Sequence, residues 1–333
     1  MLAIALLGSG CQSSLEWLGM KLIFDPARWP ADRIVESPYG EEDPTRQRFA
    51  LYLPEAATAA RGRGEGWPTL VFVHGGGWTE GSIDLETAGQ PIYGNIGGFY
   101  AGRGYGVALV EYRLQEEPAE DGSFSAPAHE RIGWRDQVRD VAHGVAAVRR
   151  EVARHGGDPD LLVLSGHSAG AQLASYVSVV PWPGEEVADL GRPAGVVAIS
   201  GAGYDLADPT TYELGADPRY YEARFRGDAP PEGDWQERAS AIRFLDTDDP
   251  PFLVFYAGRE YPSLQHQARL LDEALRQAGI STRLSVVPRQ GHRRIVVTFS
   301  QGDHPMTRET LAFLDEVTSV EPARPATVST ANR

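Results

Sequence analysis

A chain of 333 residues, 42% of them hydrophobic and 23% charged, can bury a sizeable core as one large α/β domain, alone or with a small cap. Its formal net charge of −15 argues against nucleic acid and anionic lipid as partners, because both need a basic patch. The single cysteine, Cys11, leaves no intrachain disulfide and does not define the redox compartment.

Met1 to Gly10 form a short apolar run ending in small residues, and Cys11 follows. The run is too short to span a membrane and has the form of the end of a secretory signal. It is similar to a bacterial lipoprotein signal, whose cysteine is lipidated. It departs from that signal in having no Lys or Arg ahead of the apolar run, and in having Gly8 where an aliphatic residue is usual. A secreted protein or a membrane tether through Cys11 is expected, with a cytoplasmic location as the alternative. Residues 12–45 carry Trp17, Leu18, Leu22, Ile23, Phe24 and Trp29, too apolar for a free linker, so they are expected to pack on the domain or to cap it and shape its pocket.

Residues 48–54 predict a strand stopped by Pro54, and the Ala-, Gly- and Arg-rich stretch 55–68 predicts an exposed loop. Strand-like runs recur at 70–73, 107–112, 161–164, 196–199, 252–256 and 284–287. Between them, Val138, Val141, Val145, Val148 and Val152 recur at spacings of three and four, one face of a helix. Gly156-Gly157-Asp158-Pro159 ends it. Further helices are predicted over 169–180, 265–278 and 306–317. This alternation predicts an α/β domain over 46–318, a mostly parallel central sheet with helices on both faces. Residues 115–130 and 201–250 are long and irregular, and such insertions commonly build substrate pockets. The last residues, 319–333, are small and polar and predict a disordered tail.

Two motifs sit where a buried strand ends. His74-Gly75-Gly76-Gly77-Trp78 follows residues 69–73, and Gly166-His167-Ser168-Ala169-Gly170 follows residues 161–164. The second has the form of a nucleophile elbow and the first that of a loop supplying oxyanion donors. With 37 glycines, roughly one chain in four would show the elbow pattern by chance; the pair, each after a strand, is far more specific. A serine hydroxyl needs a base to remove its proton. Only His292 and His304 follow the last strand-like run, and His292 lies on a turn five residues after it. His304 is the alternative base. The acid should follow the run 252–256, where Glu260 is the only carboxylate of its loop; Asp246, Asp248 and Asp249 precede that run, at the wrong end. The expected oxyanion donors are the backbone N–H groups of Gly76, Gly77 and Ala169. Trp78, His167 and Tyr204 are expected at the substrate pocket.

Over roughly residues 45–318 the chain resembles α/β-hydrolases of the carboxylesterase type with a His-Gly-Gly-Gly motif. These are the group around hormone-sensitive-lipase-like esterases, kynurenine formamidase and prenylcysteine methylesterase. The carriers are His74–Trp78, Asn95-Ile96-Gly97, Tyr112-Arg113-Leu114, Gly156–Pro159, Gly166–Gly170, Gly258–Pro262 and Gly291-His292. One departure is Glu260-Tyr261-Pro262, where the family usually has Asp before the aromatic residue. The resemblance implies hydrolysis of a small-molecule ester or amide through an acyl-enzyme, without metal or cofactor. It selects no substrate, since one fold hosts many. The leading expectation is a serine carboxylesterase acting on small to medium acyl esters through Ser168, His292 and Glu260. An amidase or formamidase with the same residues is the second, and a non-catalytic surface binding protein on this scaffold is the third. The oligomeric state is not legible.

Overall fold

The computed structural model describes residues 26–55, 66–87, 89–119, 123–182, 187, 190–227 and 233–319. The expectations for residues 1–11, Cys11 among them, and for the tail beyond Ser319 lie outside those residues.

Ten strands are described: β1 (Ile34–Pro38), β2 (Arg48–Tyr52), β3 (Trp67–Val73), β4 (Glu86–Thr87), β5 (Gln90–Pro91), β6 (Gly106–Val110), β7 (Gly157–His167), β8 (Gly195–Ile199), β9 (Phe252–Ala257) and β10 (Thr282–Val287). β4 and β5 pair with each other, and the other eight form one sheet in the order β1-β2-β6-β3-β7-β8-β9-β10. β2 runs antiparallel to both its neighbours, and every other pair in the sheet is parallel. Parallel neighbours need crossovers, and these carry helices: α1 (Ile92–Ala101), α2 (Trp134–Arg154), α3 (Ala169–Val179), α4 (Pro209–Glu213), α5 (Pro218–Phe225), α6 (Trp235–Arg238) and α7 (Pro262–Gln277); α8 (Arg294–Thr298) and α9 (Pro305–Val317) follow the last strand. The expected mostly parallel sheet with helices on both faces is the architecture found.

Strand alternation divides the apolar residues between two cores. On β3, Val71 and Val73 join the core under α2, α3 and α7, while Leu70 and Phe72 join the core under α1 and α9. β6 repeats the division, with Ala108 and Val110 on one side and Val107 and Leu109 on the other. A sheet covered on both faces reads in sequence as continuous apolar runs, as these strands do. The valine stripe of α2 is buried along its whole length, from Val138 to Val152. Each such side chain contributes roughly 1.5–3 kcal/mol on leaving water.

Several elements differ from the sequence-based expectations. β7 starts at Gly157, inside the stretch read as a helix terminator, because Gly157 packs under Trp67 and pairs with it across an irregular register. α1 is not predicted at all. Gly94, Gly97 and Gly98 weaken it as a helix, but a Cβ at Gly97 would meet the Tyr52 ring at 2.7 Å and one at Gly98 would meet Ala27 O at 2.4 Å. Close packing therefore selects glycine there against local preference. Residues 201–250 are not irregular throughout: the described ones hold three short α-helices and the 3-10 helix Ala241–Phe244. Two begin at an Asp–Pro pair: the Asp208 carboxylate accepts from Thr211 N–H, and that of Asp217 from Arg219 N–H. Within the expected packing segment, Trp29 lies against the α1 core, its indole N–H donates to Leu53 O at 3.1 Å, and β1 forms the sheet edge.

Candidate active site

The nucleophile elbow follows from sterics. β7 ends at His167, Ser168 turns, and α3 starts at Ala169. The strand and helix cross so closely that a Cβ at Gly166 would lie 2.3 Å from Gly170 O, and one at Gly170 would lie 2.2 Å from Val73 O. Only glycine fits at either position. Ser168 between them takes φ 56° and ψ −120°, a sparsely populated conformation that costs about 1–3 kcal/mol. Its N–H is held by Ile199 O at 3.0 Å. The turn lifts the half-buried Ser168 side chain off the sheet toward the loop after β10.

His292 comes from that loop, and its Nε2 lies 2.9 Å from Ser168 Oγ. Its Nδ1 lies 3.1 Å from both carboxylate oxygens of Glu260. A carboxylate can only accept, so Nδ1 carries the hydrogen and Nε2 is free to accept from the serine hydroxyl. The Glu260 side chain has no exposed surface. Burial alone would raise its pKa. The adjoining His292, the Ser200 hydroxyl and the Tyr261 N–H outweigh burial and hold it below the ordinary carboxylate range, so the group is ionised at neutral pH. The loops carrying Glu260 and His292 are tied together, Arg259 N–H donating to Gln290 O and Gly258 N–H to Val287 O, both at 2.8 Å.

The three residues expected at the pocket are packed instead. Trp78 is 1% exposed, Tyr204 0% and His167 6%. The Trp78 indole N–H donates to Gln172 Oε1 at 3.2 Å, and the ring packs edge-on against Phe225. His167 Nε2 donates to the backbone oxygen of His292 at 2.8 Å, so it braces the loop of the base rather than facing a ligand. Burial, with His292 close by, pushes the His167 pKa down to about 3 and keeps the ring neutral. His304, the alternative base, accepts from Met306 N–H and opens α9.

The glycine loop after β3 is held by its carbonyls. In a trans peptide C=O and N–H point in opposite directions, so fixing one oxygen aims the next N–H. His74 Nδ1 donates to Gly75 O at 2.8 Å and thereby orients the Gly76 N–H. Glu80 and Thr79 N–H donate to Gly76 O at 2.9 and 3.2 Å and orient the Gly77 N–H. Gly76 has φ 135°, and a Cβ on it would lie 1.9 Å from Glu80 O, so the turn requires glycine. The loop rests on the elbow itself, since a Cβ on Gly75 would meet His167 O at 2.8 Å. Ala169, whose N–H is the third expected donor, is the first residue of α3, where the first N–H groups have no partner within the helix.

A family model described as BD-FAE matches residues 51–275. The chain belongs to the BD-FAE family. Esterase LipQ of Mycobacterium tuberculosis is 27% identical to it over 274 residues, which cover 80% of this chain and 58% of LipQ. The probable isoprenylcysteine alpha-carbonyl methylesterase ICMEL1 of Arabidopsis thaliana is 32% identical over 142 residues, 42% of this chain and 24% of ICMEL1. The chain thus spans less than two thirds of either relative. Among solved structures, esterase B of Lactobacillus rhamnosis superposes with a TM-score of 0.63 at 20% identity, covering 92% of each chain. A butyrate-bound esterase of Thermogutta terrifontis gives 0.62 at 22%, covering 87% of this chain and 96% of its own. These likenesses show the α/β-hydrolase fold.

Beneath the loop of this BD-FAE chain lies a buried charge cluster that sequence reasoning missed. Glu111, one residue past β6, has a side chain only 1% exposed. Its carboxylate accepts from Arg46 Nη1 at 2.7 Å, Ile83 N–H at 2.9 Å and the Ser82 hydroxyl at 3.0 Å. His74 Nε2 lies 3.2 Å from Glu111 Oε1. Burial pushes the Glu111 pKa up, but His74, the Ile83 N–H and Arg46 more than reverse it and bring it to about 2. The folded value lies below the unfolded one, so this stabilisation is complete above about pH 4.5 and is lost as pH falls toward 2. Glu111→Gln is expected to remove about 3 kcal/mol of that acid-side dependence, at 1.4 kcal/mol per pKa unit, and to lower stability at pH 7. Urea unfolding of both proteins between pH 5 and 2 measures it. Parallel pH dependences would mean that Glu111 is not held as described.

Arg224 is the other residue that no motif marks. It comes from α5, in the 201–250 insertion, with a side chain 3% exposed. Its Nε donates to Gly77 O at 2.9 Å and its Nη2 to Glu117 Oε2 at 2.6 Å, so the insertion clamps the glycine loop from outside.

Proposed function

We propose that this protein is a serine carboxylesterase that hydrolyses small to medium acyl esters through an acyl-enzyme. The observation that carries the reading is the unbroken series Ser168 Oγ, His292 and Glu260, with the imidazole hydrogen facing the carboxylate and the free Nε2 facing the hydroxyl. Ser168 Oγ attacks the acyl carbon while His292 Nε2 takes its proton. Glu260, already ionised, holds the ring in that tautomer and stabilises the imidazolium without accepting the proton. The tetrahedral oxyanion is received by the N–H groups of Gly76, Gly77 and Ala169, whose directions are set before the substrate arrives. His292 then gives its proton to the leaving oxygen and the alcohol departs. Water, deprotonated by the same nitrogen, attacks the acyl carbon; the acyl–Oγ bond breaks, His292 returns the proton to Ser168 Oγ, and the acid departs. Every proton and bond in this cycle is accounted for by protein groups and water. The names of LipQ, ICMEL1 and the two solved esterases support an ester as substrate.

Hydrolysis of p-nitrophenyl esters from acetyl to dodecanoyl tests the reading. Turnover is expected to peak at short to medium chains. A peak at the longest chains would overturn the substrate class. No turnover of any ester, beside cleavage of N-formylkynurenine, would move the activity to a formamide, the substrate class named for the kynurenine formamidase of Aspergillus versicolor, 30% identical over 148 residues.

A further inference from the structure

Next to the glycine loop, on the outer side of Arg224, lies a cavity of about 600 Å³, within the usual range for small-molecule sites. Six arginines line it: Arg131, Arg135, Arg139, Arg224, Arg226 and Arg238. Among the described residues two carboxylates do so, Glu116 and Asp136. In a chain of net charge −15 arginines outnumber carboxylates among the described residues lining this wall, and unpaired cations in a concave wall attract anions.

Four of these arginines have carboxylate partners. Arg224 pairs with Glu117 at 2.6 Å, Arg238 with Asp234 at 3.1 Å, Arg226 with Glu222 at 3.3 Å and Arg139 with Asp136 at 4.0 Å. Arg131 and Arg135 have no carboxylate within 4 Å among the described residues. They lie instead over aromatic rings, Arg131 over Phe124 at 4.1 Å and Arg135 over Trp134 at 5.4 Å. Arg131 Nε is buried without a hydrogen-bond acceptor, which is unfavourable until an acceptor arrives. Trp134 and Trp235, both largely buried, also line it. Planar guanidinium forks match carboxylate and phosphate oxygens two at a time.

We propose that this cavity is a binding site for a ligand bearing a carboxylate or phosphate, its anion held by Arg131 and Arg135. It stands independently of the ester reading. Arg224 is shared between this cavity and the glycine loop, so an anion on an extended substrate would reach the cavity from the loop side. A free anion would enter from solvent.

Titration with sodium citrate and with inorganic phosphate, at constant ionic strength and followed by tryptophan fluorescence, tests the proposal. Saturable binding is expected for at least one of them. It should weaken about tenfold or more in the Arg131→Gln/Arg135→Gln variant, and also in the single surface variant Arg135→Glu, which guards against misfolding. Turnover of p-nitrophenyl butyrate should stay within about twofold of the parent in Arg135→Glu. Mono-p-nitrophenyl glutarate identifies the source. A selective loss of its kcat/KM in the variants means that the anion belongs to the substrate. An equal response of both esters, with citrate or phosphate binding lost, means a free anion. Either result supports the site. Absence of saturable binding to the parent protein, or equal binding by parent and variants, overturns it. If no ester is turned over but anion binding is lost in the variants, the ester reading fails and this one stands.

Discussion

Replacing Ser168 by alanine is expected to lower kcat/KM on a p-nitrophenyl ester by at least about 10⁴-fold while leaving the fold intact. The chemistry loses its nucleophile, because among the described residues no other hydroxyl shares the contact with His292 Nε2. The fold loses little. The backbone of the elbow is set by Gly166, Gly170 and the bond from Ser168 N–H to Ile199 O, none of which involves the deleted oxygen. Alanine also keeps the N–H groups of Gly76, Gly77 and Ala169, so substrate binding and a small residual rate from oxyanion stabilisation should persist. Circular dichroism and Tm unchanged, with turnover gone, is the expected pair of results. Retention of more than a few per cent of activity would place the nucleophile elsewhere.

Glu260→Gln is expected to lower kcat by roughly 10³–10⁴-fold with KM little changed, through the tautomer rather than through charge alone. The carboxylate forces hydrogen onto Nδ1 of His292 from two oxygens at 3.1 Å. A carboxamide can turn its NH₂ toward Nδ1, which moves the ring hydrogen to Nε2 and blocks acceptance of the serine proton. The amide also stabilises the imidazolium far less. Glu260→Asp keeps the charge but shortens the side chain by one methylene, so its loss should be smaller than that of the glutamine variant. If glutamine is tolerated within tenfold, another group orients the base.

The parts of this site that are legible in the sequence are those where one residue answers a local demand. Gly166, Gly170 and Gly76 have no alternative, since any Cβ would collide with backbone, and that necessity makes the motifs readable. The apolar strands read clearly because the sheet is covered on both faces. What is not legible depends on residues that meet only after folding. Glu111 reaches Arg46 across 65 positions and Arg224 reaches Gly77 across 147, and nothing local distinguishes either from a solvated charge. Ser200, with φ 44° at the end of β8, is one of the groups that keep Glu260 ionised. Its sole sequence signal is its place directly after a buried strand. α1 escapes notice for the opposite reason to the motifs: its glycines suit the rings and carbonyls packed against them and obscure the helix. Trp78 and Tyr204 look like pocket walls by proximity to the motifs, yet large apolar rings near an elbow are more often core, as both are here.

The most direct test of an activated serine is labelling of the untreated protein with a fluorophosphonate, followed by peptide mapping. The geometry of Ser168, His292 and Glu260 predicts one label per chain, on the peptide carrying Ser168, and none in Ser168→Ala. A folded protein that takes no label, or takes it at another residue, would contradict the proposal that Ser168 is the nucleophile of a hydrolase.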